Sequence, residues 1–165
     1  MSETCTFCRI AQHQVPAYVI TEDQDVIVFL SKENHPLVVP KRHIPNIYSL
    51  DEASGAQIMK AAVQVARAVK AGLQCEGIYL TQANEPAAGQ DVFHFHLHVY
   101  PRWRAVEFRA QQTSAQVTEQ DKQEALKKIT ASLELSCSCA CTKPIPRVTA
   151  ACWHIWCMLG ASWSQ

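Results

Sequence analysis

Apolar residues recur along the chain with two different periods. Ala17-Tyr18-Val19-Ile20 and Val26-Ile27-Val28-Phe29-Leu30 are short β-type runs, joined by the polar turn Thr21-Glu22-Asp23-Gln24-Asp25. A third run, Leu37-Val38-Val39, is bracketed by Pro36 and Pro40, as suits a strand with proline at its ends. The period then lengthens. Ile58, Ala62, Val65, Val69 and Leu73 follow one another at spacings of three or four, which is one stripe of a helix. Ser49 with Glu52 three residues later reads as its capping box, and Gly72 and Gly77 read as stop signals. Ile78-Tyr79-Leu80-Thr81 returns to a strand, Glu85 to Gly89 forms a loop, and a last strand is expected from Asp91 to Tyr100, ended by Pro101. A second helix is expected over Glu119–Leu135, with Thr118 as its cap and Ala125, Leu126, Ile129 and Leu133 on one side.

The order strands, helix, strands, helix predicts an α+β fold: an antiparallel meander sheet with one long helix and a C-terminal helix. There is no internal repeat. Residues 1–135 read as one domain. Residues 136–165 change character, with five cysteines, three tryptophans and only Lys143 and Arg147 as charges. They read as an irregular tail without a core of its own. Cys137-x-Cys139-x-Cys141 is compatible with metal binding or lipidation, but no functional residue is assigned there.

Charge narrows the class. The chain has 15 Lys+Arg and 15 Asp+Glu among 165 residues, so its net charge is zero, and a nucleic-acid-binding surface is not expected. No run of 18 apolar residues and no signal peptide is visible, so a cytoplasmic protein with no membrane association is expected. In such a compartment Cys5-x-x-Cys8 reads first as a pair of metal ligands, with a redox pair or two incidental thiols as the other readings.

The chemistry concentrates in Asp91-Val92-Phe93-His94-Phe95-His96-Leu97-His98-Val99. On a strand, His94, His96 and His98 would share one face at roughly 6–7 Å spacing, and Phe93, Phe95, Leu97 and Val99 the core face. A half-exposed strand with incidental histidines is the bland alternative. Three imidazoles in strict alternation suit either metal binding or acid–base and nucleophilic chemistry near neutral pH. Gly89, just upstream, permits close approach of backbone N–H groups to an anion.

The segment from Gly89 to Arg102 resembles the signature of the histidine triad family. His35-Pro36-Leu37-Val38-Val39-Pro40-Lys41-Arg42-His43 is similar to that family's upstream strand, and Cys5-Thr6-Phe7-Cys8 to the N-terminus of its zinc-containing branch. The resemblance covers about residues 5 to 103. It implies a nucleotide hydrolase or transferase acting at the α-phosphorus through a covalent nucleotidyl-histidine, with His96 as nucleophile, His98 on the phosphoryl oxygens and His35 assisting the leaving group. It implies phosphate and ribose contacts from Asn84, Gln90 and Asp91, and a base pocket lined by Phe7, Ile10 and Phe29, for which plain core packing is the competing reading. It implies a structural zinc held by Cys5, Cys8, His43 and His94, and a homodimer whose sheets join.

Three functions follow. A purine nucleoside phosphoramidase is favoured by Cys5-x-x-Cys8. A dinucleoside polyphosphate hydrolase is favoured by Pro101-Arg102. A nucleotide-binding scaffold with little turnover belongs to another class. A hydrolase using the triad itself as zinc ligands is a further alternative. One departure stands out. Many relatives carry Asp, a ribose ligand, where this chain has Ser31, and the turn to His35 is about four residues shorter. Glu33 is the candidate substitute.

Overall fold

The computed structural model describes residues 5–104 and 117–138. The tail cysteines beyond Ser138 lie outside the described residues. A short helix α1 (Thr6–Ala11) precedes three strands, β1 (Val19–Glu22), β2 (Val26–Leu30) and β3 (Pro36–Pro40). Helix α2 (Glu52–Leu73), strands β4 (Gly77–Thr81) and β5 (Leu97–Arg102) and helix α3 (Glu119–Ser138) follow. All pairings are antiparallel, and the strand order is β1-β2-β3-β5-β4. The α+β architecture is the expected one, with β5 inserted between β3 and β4.

The central strands β2 and β3 are buried along their whole length, because the sheet is covered on both faces. Alternation sorts their side chains. Val26, Val28, Leu30 and Val38 point toward α2, where Ile58, Ala62, Val65 and Val69 meet them. Ile27, Phe29, Leu37 and Val39 point the other way, to Phe7 and Ile10 of α1. Each such fully buried side chain contributes about 1.5–3 kcal/mol. Among the described residues, no helix is long and apolar enough to cross a membrane.

Four local expectations are corrected. The cap of α2 is Asp51, whose carboxylate accepts the Ser54 N–H at 2.8 Å. The Ser49 hydroxyl instead donates to Asn46, which caps the short turn Ile47–Ser49. Gly72 lies inside α2, and the helix ends after Leu73 with Gln74 in the left-handed region. The last strand starts at Leu97, not Asp91, and runs through Pro101 to Arg102. Proline is tolerated there because β3 reaches only Leu97 and His98, so the missing N–H breaks no bond on that side. Phe93, assigned to the core face, is half exposed. Thr118 does cap α3: its hydroxyl accepts the Asp121 N–H at 3.2 Å, and Asp121 reciprocates at 2.8 Å.

Gly72 has a packing role. A Cβ there would lie 2.5 Å from the carbonyl oxygen of Lys128 in α3. The two helices therefore touch backbone to backbone. Gly72→Ala is expected to cost about 1–3 kcal/mol in overpacking, against about 1 kcal/mol gained in helix propensity. Thermal unfolding should show a net loss of stability, whereas Ala at an exposed glycine would raise it.

Candidate active site

His94, His96 and His98 all sit on the α1 side of the sheet, opposite Phe95, Leu97 and Val99. Before β5, residues 91–96 form a loop pinned at both ends. Gly89 takes φ +86°, a conformation that favours glycine. The Phe95 N–H donates to the Ile44 carbonyl at 2.6 Å. Alternation nevertheless persists through this loop: Phe95 joins Leu97 and Val99 in the α2-side core, His94 and His96 both stand edge-on to Phe7, and the His96 and His98 rings are 4.9 Å apart.

His94 Nδ1 lies 3.4 Å from Cys5 Sγ, 3.5 Å from Cys8 Sγ and 3.4 Å from His43 Nδ1. Cys8 Sγ is 3.3 Å from His43 Nδ1. All four donor atoms fall within 4.8 Å of one another. Tetrahedral zinc requires about 3.4 Å between two nitrogen ligands and about 3.6 Å between nitrogen and sulfur, from its ordinary bond lengths. The donors therefore fit that metal. His94 Nε2–H donates to the Pro40 carbonyl at 2.8 Å, which leaves Nδ1 as a lone pair aimed at the other three. The four residues that the sequence resemblance assigned to metal are brought together and can hold an ion.

His96 is 3 % exposed. Its Nδ1–H donates to the carbonyl of His94 at 2.7 Å, so Nε2 is the ring nitrogen left for another partner. Phe7 stands edge-on to this ring at 5.2 Å and to Phe29 at 5.5 Å. Ile10 completes the same apolar cluster. His35 reaches in from the β2–β3 turn, its Nε2 2.8 Å from His98 Nδ1. Burial, then the neighbouring His98, pushes the His35 pKa down to about 3. Burial, then His96, pushes His98 down to about 4, against the opposing pull of Glu33 and Asp91. Both rings are neutral at pH 7.

Asn84 and Gln90 lie in an adjoining network. Asn84 Oδ1 accepts the Ile47 N–H at 2.8 Å, and its amide pairs with Gln82. Gln90 is buried, donates to the Pro45 and Val92 carbonyls and accepts the Glu85 N–H. Its amide holds the loop in shape. The Asp91 side chain is exposed.

Tyr100, Tyr79 and Arg102 were not assigned to the site from sequence. The Tyr100 ring is parallel to His98, 2° apart in plane and 5.5 Å between centroids, and contacts His35 at 3.9 Å. The Arg102 guanidinium lies 4.9 Å from the Tyr100 ring and 5.5 Å from Tyr79. The signal was available, since His98, Tyr100 and Arg102 share strand parity.

Comparison with known proteins agrees with this geometry. Residues 12–105 match the family profile of the HIT domain. The chain is 35% identical over 106 residues to the protein hit of Bacillus subtilis, spanning 62% of this chain and 73% of that one. A zinc-bound histidine triad family protein from Mycobacterium smegmatis superposes with a TM-score of 0.70 at 28% identity, covering 82% of this chain and 97% of the other. A HIT family hydrolase from Legionella pneumophila superposes at 0.56 with 32% identity, covering 65% and 99%.

Two outcomes are expected. Native mass spectrometry should find a single zinc ion on the wild-type chain and none on Cys8→Ser. For pH, the unfolded imidazoles of His35 and His98 take up protons below their ordinary value of 6.5, while the folded ones resist until about 3 to 4. Unfolding is therefore favoured as pH falls through that window. Thermal melts of the zinc-loaded protein at about pH 7 and pH 5 should show a drop in Tm that is smaller in His35→Gln.

Proposed function

The chain belongs to the histidine triad family, and from that premise we propose that it hydrolyses nucleoside 5′-phosphate derivatives at the α-phosphorus, most simply a purine nucleoside 5′-phosphoramidate. The observation that carries the reading is the bond from His96 Nδ1–H to the His94 carbonyl. It leaves Nε2 of this buried ring for another partner, beside the neutral imidazoles of His35 and His98.

In this reading Nε2 of His96 attacks phosphorus, the P–N bond to the leaving amine breaks, and the amine departs with a proton supplied from the His35 side of the site. Water then attacks phosphorus, its hydroxyl breaking the P–N bond to His96 and its proton returning to the His35 side, and the nucleoside monophosphate is released. His98 contacts the phosphoryl oxygens. The backbone N–H of Asp91, on a loop shaped by Gln90 and Asn84, faces the same group, and Phe7, Ile10 and Phe29 flank the base. Cys5, Cys8, His43 and His94 would hold zinc in a structural role, because four protein ligands leave no open position for chemistry. Cysteines used as metal ligands suit a reducing, cytoplasmic setting. β4 is an edge strand, and Leu80 on it and Met59 and Val63 on α2 are exposed apolar residues, which supports a homodimer joined along this side.

A second substrate reading has its own support. Arg102, stacked on Tyr79 and Tyr100 along the strand that carries His98, is suited to an anionic leaving group such as the polyphosphate of a dinucleoside polyphosphate. Both readings share the His96 intermediate, whereas a nucleotide-binding scaffold would bind without turnover.

Incubation with adenosine 5′-phosphoramidate and with a diadenosine polyphosphate, following AMP release, separates the three. Wild type is expected to turn over the phosphoramidate faster. His96→Ala and His96→Asn should each lose about a thousandfold or more in kcat. Quenching at low temperature should trap an AMP adduct on the peptide containing His96. Nucleotide binding without release or adduct would overturn the hydrolase reading.

A further inference from the structure

The turn from β2 to β3 contains a hydroxyl whose surroundings leave it a single role. Ser31 is buried at 8 % exposure. Its Oγ accepts the Glu33 N–H at 3.1 Å and, more loosely, the His35 N–H at 3.4 Å. It also lies 2.9 Å from the ring Nδ1 of His35. A hydroxyl has two acceptor lone pairs and one proton. With both lone pairs facing backbone N–H groups, the proton is left for Nδ1.

We infer that Ser31 is a positioning residue, whose hydroxyl sets where the ring protons of His35 and His98 reside. His35 Nδ1 accepts from Ser31, so the ring proton of neutral His35 sits on Nε2. That nitrogen is 2.8 Å from His98 Nδ1 and donates to it. His98 Nδ1 is thereby an acceptor, and the proton of the neutral ring sits on its Nε2. The Tyr100 hydroxyl, 3.4 Å from the same Nδ1, is compatible with that assignment. The Glu33 carbonyl also faces the His35 ring, and the opposite arrangement would turn a ring N–H there and leave the 2.9 Å contact with Ser31 Oγ unmade.

The consequence is directional. The relay Ser31–His35–His98 ends on an N–H donor without placing a positive charge in the site. A phosphoryl oxygen meeting that end of His98 finds a hydrogen bond, whereas the reversed order would present a lone pair to an anion. The catalytic part of this inference rests on the nucleotide hydrolase reading above; the proton order does not.

Ring nitrogens of histidine are distinguished by ¹⁵N NMR, where a protonated and an unprotonated nitrogen resonate far apart. The full chain, labelled on histidine and loaded with zinc, is recorded at neutral pH, with assignments from His35→Gln and His98→Gln. Nδ1 unprotonated and Nε2 protonated are expected for both His35 and His98. In Ser31→Ala both rings should shift toward a mixture of tautomers, with kcat on the phosphoramidate down about tenfold and KM little changed. Ser31→Thr, which keeps the hydroxyl, should restore the wild-type ring signals. Nδ1–H on either ring of the wild type, or ring signals unchanged in Ser31→Ala, would overturn the relay. The expected ring signals in a protein with no turnover would support the relay while removing the hydrolase reading, so the two failures are told apart.

Discussion

The site depends on one residue used twice. The side chain of His94 joins Cys5, Cys8 and His43, and its carbonyl accepts the Nδ1–H of His96. A carbonyl holds a ring in one orientation only if the peptide itself cannot rotate. Here the peptide is fixed from both sides: by the ring in the cysteine cluster, whose Nε2–H is tied to Pro40, and by the Phe95 N–H on Ile44. The cluster therefore bears on the orientation of His96 without touching its ring. Whatever tightens the four donors sharpens the aim of the His96 lone pair.

The sheet explains why this arrangement is stable. Two apolar clusters lie on opposite faces of β2 and β3, and the smaller one carries the histidines. Helix α1 is only six residues long, too short to hold itself by backbone bonds alone. Phe7 and Ile10 dock it onto Phe29 and Leu37, and Cys5 and Cys8 tie it to His43 and His94. A short helix secured by apolar contact and by shared donors closes over His96 without a long covering segment.

The legibility of this fold in the sequence was uneven, for physical reasons. The stripe from Ile58 to Leu73 and the runs of β2 and β3 stood out, because burial imposes a period on apolar residues. The candidate metal ligands and His96 are named only through resemblance to a family, since spacing alone leaves metal binding and catalysis open. The false extension of β5 back to Asp91 has a clear origin. Alternation of His and apolar residues continues upstream of Leu97, but neither β3 nor β4 pairs with residues 91–96, and the Phe95 N–H bonds the Ile44 carbonyl instead. Ser49 was chosen as a cap because Ser and Asp both suit that position; Asn46 had already engaged its hydroxyl. Gly72 looked like a stop because a glycine that admits a neighbouring backbone has the same letter as one that ends a helix. Ser31 was noticed as a departure, but its bond to His35 is visible only once the turn closes.

The buried imidazoles place stability and reactivity in opposition. A ring kept from water loses the solvation that a positive charge requires, and each neighbouring ring would repel that charge further. His35 and His98 are held neutral this way, well below the ordinary imidazole value. The folded state gives up stability wherever the unfolded chain protonates more readily. In exchange the site contains hydrogen-bond donors and lone pairs of defined order rather than a cluster of competing cations. An anionic phosphate would be drawn to cations, yet a cationic His96 could not attack it. In the proposed reaction, rings oriented by Ser31 at one end and the His94 carbonyl at the other would let the same few side chains bind the anion through N–H groups and still leave one nitrogen to react.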